Sequence, residues 1–122
     1  MTNIKFTQGD IFLANLNPQK KSEPGKIRPV LIIQNQYLLD ADHSTTIVVP
    51  LTTHLIDDTE PLRIRIKAED KLEKDSDLLI DQVRAIDNRR FIGSPLLNIG
   101  LNKLQYVIET LYQLVCITEN KL

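Results

Sequence analysis

The segment SEPGKIRP carries Ser22, Glu23, Gly25, Lys26 and Arg28 on a turn that leads into an apolar strand. Hydrogen-bonding groups of several kinds beside a rigid element are a common arrangement for binding and catalysis. Further on, PLTT places the Thr52 and Thr53 hydroxyls at a strand end disturbed by Pro50. Arg63, Arg65 and Lys67 alternate with Leu62, Ile64 and Ile66. Such a row could track phosphates, because the guanidinium fork matches phosphate oxygens. Asp81, Gln82, Arg84 and Asp87 also alternate with apolar neighbours. Their donors and acceptors could read exposed base edges.

Each group has a plainer reading. The loop could be a polar hairpin connection with Arg28 in a surface ion pair. Thr52 is a good strand former. The basic row could be a solvated strand face, and the last group a set of cross-strand ion pairs. Residue types alone leave both readings open.

Other chemistries find little support. His43 and His54 do not form a metal-ligand spacing with Cys116. No nucleophile elbow, phosphate-binding glycine loop or zincin motif is present, and a total of four glycines argues against a nucleotide cradle.

The elements that must position these residues are mostly strands. Asp10 to Leu16 reads as the first, with Ile11, Leu13 and Asn15 alternating against Phe12, Ala14 and Leu16. A polar loop follows over Asn17 to Ile27. Arg28 to Asn35 is a β-branched apolar run bounded by turn residues, and its continuous apolarity predicts cover on both faces. Tyr37 to Ser44 is a connection without a clear form. Thr45 to Thr52 is a third strand, where Pro50 predicts a bulge or an edge. The 62–67 segment has the cleanest alternation, with Leu62, Ile64 and Ile66 on one side. Asp77 to Asp87 reads as a fifth strand or a bent pair, and residues 88–100 as loop.

The period then changes to helical, with Leu104, Val107, Ile108, Leu111, Leu114 and Val115 on one stripe. Asn102 and Gln105 have capping-box spacing, flanked by Leu101 and Tyr106 at the staple positions. Tyr112 and Ile117 lie beyond the core stripe, which suggests packing on a partner subunit. Strands followed by one helix predict a small, β-rich α+β domain, a compact barrel, spanning residues 1–122 as one unit.

Composition sets the outer bounds. The chain has 122 residues, 42% hydrophobic and 25% charged, the balance of a single soluble domain. No apolar run approaches the roughly 18 residues of a membrane span, and MTNIKFTQGD lacks a signal region. A single cysteine rules out an internal disulfide framework. These features predict a cytoplasmic protein with no membrane partner. A formal charge of -1 argues against nonspecific nucleic-acid binding but leaves room for a local basic groove.

Taken in order, QGDIFLANLNP, SEPGKIRPVLIIQN, IVVPLTT, KDSDLLIDQVRAIDNRRF and the terminal amphipathic segment resemble the MazF/PemK family of toxin endoribonucleases. The resemblance runs from about Gln8 to Thr118. It implies a five-stranded SH3-like barrel of the MazF/PemK/CcdB type with a C-terminal helix. It also implies a homodimer, cleavage of single-stranded RNA at a short sequence without metal or cofactor, and inhibition by an antitoxin with a disordered acidic tail. Arg28, in the motif ending RP, and Thr52, in PLT, match the family's catalytic arginine and threonine. Glu23 is a candidate helper in proton transfer and His54 a second. Ser22 and Glu23 match positions implicated in substrate contact, and Ser76, Asp81 and Gln82 match positions lining the RNA groove. Lys26, Thr53 and Arg63 join them as candidate RNA contacts. The groove is expected to be lined by Lys20, Lys21, Lys26, Arg28, Arg63 and Arg65, with acids gathered between Glu69 and Asp77.

Pro24 replaces a residue that is commonly Gln, and Asp77 stands where the family usually has an apolar residue. Both departures put substrate preference in doubt more than activity. Rival readings are an inactive relative or non-enzymatic interaction module, and a gyrase poison on the same fold. The gyrase poisons depend on a tryptophan-bearing tail, and this chain has no Trp.

Overall fold

The computed structural model describes residues 5–18, 22 and 26–118. Strands β1 (Asp10–Asn15) and β2 (Ile27–Ile32) are followed by a short helix α1 (Gln36–Asp40) and the long strand β3 (Thr45–Thr52). Strands β4 (Arg63–Ile66), β5 (Ser76–Leu79), β6 (Arg84–Asp87) and β7 (Phe91–Asn98) precede the C-terminal helix α2 (Leu101–Val115). All strand pairs are antiparallel. The seven strands form one sheet in the order β4-β5-β3-β2-β1-β7, with β6 also paired to β3. The α+β, β-rich class agrees with the sequence. The ladder has seven strands rather than five and ends at β4 and β7, so "barrel" describes it only loosely.

The sheet is covered on both faces, as the apolar run in β2 requires. Leu31 and Ile33 join Ile11, Val49, Leu51, Ile64 and Leu78 on one side, beneath Leu104 and Val107 of α2. Val30 and Ile32 join Phe12, Ala14, Val48 and Ile86 on the other. There Phe12 meets Phe6 and Phe91 edge-on, with centroids 5.4 and 5.6 Å away. Burying each of the Val, Leu, Ile and Phe side chains here contributes about 1.5–3 kcal/mol, so the central strands form the rigid part of the scaffold.

Pro50 lies neither at an edge nor in a bulge. On one side it pairs with Val30. On the other, β6 ends its pairing at Val48 and β5 begins at Leu51. Proline therefore sits where that neighbour changes and no ladder donor is needed.

Other expectations are corrected. The 37–44 connection contains α1, which begins one residue earlier and is capped by Asn35, whose Oδ1 accepts from the Leu38 N–H at 3.1 Å. The 77–87 segment is the bent pair, β5 and β6, broken by a 3-10 turn at Ile80–Gln82. Leu62 falls outside β4 and is exposed. Residues 88–100 are not loop, since β7 occupies most of them. Its pairing with β1 is made at its two ends, with a register shift between. Gly93, at φ +72, and Pro95 fall in that shift. Helix α2 has no side-chain cap, and the residue before it is Gly100, at φ +81. Asn102 lies inside the helix and forms no capping box. Val115 and Ile108, assigned to the core stripe, are exposed, and Thr110 is buried instead.

Candidate functional site

Arg28 lies near the start of β2 and Thr52 ends β3. The β2–β3 register pairs Ile32 with Val48 and Val30 with Pro50. Carried on by two residues, it sets Arg28 opposite Thr52, and opposed residues in an antiparallel pair project from the same face. Both line a cleft of about 270 Å³ with Lys26, Ile27, Pro29, Leu51 and Thr53. Each is half-buried. On the other side of Thr52, its register partner is Asp77 of β5, and Asp77 in turn faces Arg65 of β4. Arg28, Thr52, Asp77 and Arg65 therefore form one row across four neighbouring strands.

Thr52 is oriented by the turn that follows it. Its Oγ1 accepts a hydrogen bond from the His54 N–H at 3.2 Å. That leaves the hydroxyl proton available to donate into the cleft. Lys26 is held at φ +65, with its N–H on Asn17 Oδ1 at 2.7 Å. Arg90 donates to the Asn15 and Asn17 carbonyls at 2.9 and 2.7 Å, tethering the start of the same loop. Ser22 is an exposed turn residue. Glu23, Lys20, Lys21 and Pro24 lie outside the described residues.

Thr53 also borders a second cleft of about 310 Å³, lined with Leu13, Pro29, Leu96, Lys71, Lys74 and Ser76 among others. Ser76 is buried and its Oγ donates to the Lys74 carbonyl at 3.1 Å. The two clefts share Pro29 and Thr53. Asp81 is exposed and Gln82 half-buried, both on the 3-10 turn after β5. The structure thus joins Arg28, Thr52, Lys26 and Thr53 in one cleft and sets Ser76 in the next. It puts Asp81 and Gln82 on a separate turn.

Arg63 and Arg65 do not stand as free cations along this cleft. Arg65 Nε contacts Asp77 Oδ1 at 2.7 Å, and its Nη1 contacts Asp57 at 2.8 Å. Arg63 Nη1 lies 3.3 Å from Asp77 Oδ2 and donates to the His54 carbonyl at 2.8 Å. These groups line a polar cavity of about 500 Å³ with Asp58, Thr59 and Glu60. Burial pushes the Asp77 carboxyl up, but hydrogen bonds from Arg65, the Ile56 N–H and Arg63 outweigh it and hold it below the usual carboxylate range. The Arg65 guanidinium is pushed above its ordinary value, chiefly by its hydrogen bonds to Asp77 and Asp57. Of the basic residues expected along the groove, Arg63 and Arg65 thus belong to an internally neutralised cluster, while Lys26 and Arg28 line the cleft. His54 also departs from expectation. Strand β3 stops at Thr52, so alternation does not carry the His54 side chain toward Arg28, and it does not line the cleft.

The sequence reading missed the use of Asp77. Its signal was an acid just before the apolar pair Leu78 and Leu79, near an Arg-x-Arg strand, but the pairing shows only in the β4–β5 register.

The family model for "PemK-like, MazF-like toxin of type II toxin-antitoxin system" matches residues 7–115. The chain belongs to this family. The endoribonuclease MazF of Staphylococcus saprophyticus is 41% identical over 85 residues, covering 68% of this chain and 69% of that protein. The fold is shared with MazF from Deinococcus radiodurans, at a TM-score of 0.77 and 20% identity over 94% of this chain and all (100%) of that one. The MazE–MazF complex from the same organism matches at 0.72 and 20%, covering 95% and 100%. Arg28 and Thr52 both lie within the matched span and line one cleft. No helix among the described residues is long and apolar enough to cross a membrane.

Proposed function

We propose that this toxin is a sequence-specific, metal-independent endoribonuclease acting on single-stranded RNA, with Arg28 and Thr52 at its catalytic centre. The observation that carries this reading is the placement of both residues in one cleft by the β2–β3 register. The likeness to an endoribonuclease at 41% identity supports it.

RNA brings its own nucleophile. The 2′-hydroxyl oxygen attacks the adjacent phosphorus and the bond to the 5′ oxygen breaks. One proton leaves the 2′-hydroxyl and another reaches the 5′ oxygen, giving 2′,3′-cyclic phosphate and 5′-hydroxyl ends. No metal is needed to generate the nucleophile. The protein must align the groups, move the protons and stabilise charge on the non-bridging oxygens. Arg28 suits the last task as a permanent cation with forked donors. A guanidinium stays protonated in proteins, which makes arginine a poor base. Thr52 donates its free proton to the same phosphate. Glu23, on the loop before Arg28, is the proposed partner in proton transfer.

Ser22, Lys26, Thr53 and Ser76 are the proposed contacts for the chain on either side, and Gln82 and Asp81 for an unpaired base. Duplex RNA hides those edges, so single strands are the expected substrate. Arg63 enters through the loop it holds rather than as a phosphate ligand. The antitoxin is proposed to be a protein with an acidic segment that occludes the cleft by charge complementarity. Exposed Leu101, Tyr112, Val115 and Ile117 on and after α2 suit a second copy of the chain, which favours a homodimer.

Expression in a bacterial host tests the reading. Induction should stop growth, and Arg28→Ala should relieve the arrest at equal protein level. Arrest by the Arg28→Ala protein would overturn it.

A further inference from the structure

The Arg63–Asp77–Arg65 cluster has no part in the proposed cleavage chemistry, yet its buried carboxylate accepts from three different residues. Asp77 is only 1% exposed. Its Oδ1 accepts from Arg65 Nε at 2.7 Å, while Oδ2 accepts from the Ile56 N–H at 3.0 Å and from Arg63 at 3.3 Å. Arg63 passes the connection to the His54 carbonyl, and Arg65 passes it to Asp57. One buried carboxylate and two guanidiniums thus hold the chain at residues 54, 56 and 57. This is the connection that begins immediately after Thr52 and Thr53.

The same connection sets the Thr52 hydroxyl. The His54 N–H occupies an acceptor position on Thr52 Oγ1, which directs the proton elsewhere. The His54 amide keeps that place because its carbonyl is pinned by Arg63 and the Ile56 amide is pinned by Asp77. Directly paired with Thr52 across β3–β5, Asp77 reaches the residue from both the strand and the turn. An apolar residue at position 77 could accept none of the bonds from the Ile56 N–H, Arg63 and Arg65.

We propose that Asp77 is a positioning residue for the catalytic centre: with Arg63 and Arg65 it clamps the turn at residues 54–57 and so aims the Thr52 hydroxyl at the scissile phosphate. This rests on the endoribonuclease reading above. Asp77 touches no substrate and acts only through Thr52. It makes the β3–β4 connection a built part of the site rather than a loop that happens to follow it. Removing the charge leaves two cations facing an amide that cannot satisfy both and the Ile56 N–H together. The turn then relaxes, and displacement of a catalytic group by about 1 Å can cost on the order of a hundredfold in rate.

The test is a double-mutant cycle on the full chain, read by RNA cleavage and by amide exchange. Asp77→Asn, close in shape, should lower kcat by about tenfold to a hundredfold with KM changed by no more than about twofold. In a Thr52→Val background the same change should cost less than about twofold, because the group it positions is already gone. Arg63→Met, which spares the Asp77–Arg65 pair, should follow the same pattern in milder form. Hydrogen exchange at the His54 and Ile56 amides should be slow in the wild type and faster in Asp77→Asn, with the β2–β3 amides unchanged. Equal losses in both backgrounds, or exchange at His54 and Ile56 unaltered by Asp77→Asn, would overturn the proposal. A wild-type protein that leaves RNA intact would instead defeat the endoribonuclease reading, and the exchange data would still decide whether Asp77 clamps the turn.

Discussion

Thr52 and Asp77 are register partners across β3 and β5, so a buried carboxylate stands beside the threonine of the proposed catalytic pair. Arg28 stands on its other side. Three consecutive strands of the sheet thus supply three neighbours in one row, and the rigidity of β2 and β3 fixes their spacing. A loop-borne site of the same residues would have to be ordered at each turnover, at a cost in conformational entropy.

The Thr52 role divides cleanly between hydroxyl and shape. Thr52→Ser keeps a donor and should retain cleavage within about tenfold. Thr52→Val keeps the β-branched shape and loses the donor, and should lower kcat by about a hundredfold, the order seen for loss of one preorganised donor to a developing oxyanion. Steady-state cleavage of a short RNA, with unfolding midpoints as a control, distinguishes them. Equal activity in Thr52→Val and wild type would remove the hydroxyl from the mechanism.

His54 contributes its backbone rather than its imidazole. Its N–H and carbonyl are both engaged, while its side chain is exposed and outside the cleft. His54→Ala should leave kcat/KM unchanged from pH 5 to 8. A wild-type ascending limb in the pH–rate profile that disappears in His54→Ala would restore it as a proton carrier.

Stability should carry the signature of Asp77. Its folded pKa lies below that of a free carboxylate, so its contribution is complete above about pH 4 and is lost as pH falls through the folded value. Thermal unfolding of wild type and Asp77→Asn should differ by a constant amount between pH 5 and 8, on the order of 1–3 kcal/mol for a broken buried network. The gap should narrow below pH 4. A gap that widens on acidification would mean that Asp77 is not held ionised by its arginines.

Much of the scaffold was legible because it rests on local pattern. Strand β3 runs from Thr45 to Thr52, the bounds read from the sequence. The alternation of Ile64 and Ile66 against Arg63 and Arg65 survives in β4. Strand β7 was hidden because Gly93 and Pro95 interrupt it, and a strand with a register shift has no continuous period to detect. The helix start was misplaced for a related reason. Asn102 has the chemistry of a cap, but the chain turns at Gly100, where a positive φ decides the entry. At the site, Arg28 and Thr52 could be named from motifs, yet their adjacency is a matter of register. So is the fate of the basic row: whether Arg63 and Arg65 face phosphate or a carboxylate depends on what β5 sets against β4, and Asp77 is that residue.

The central claim is that Arg28 and Thr52 form a metal-independent RNA-cleaving centre. The most direct test is to incubate the purified protein with a long single-stranded RNA in EDTA, beside Arg28→Ala, and to map the ends. Discrete cuts at one shared short sequence, bearing 5′-hydroxyl ends and absent from the Arg28→Ala reaction, are the predicted result. Cuts that require added divalent metal, or that persist undiminished in Arg28→Ala, would contradict it.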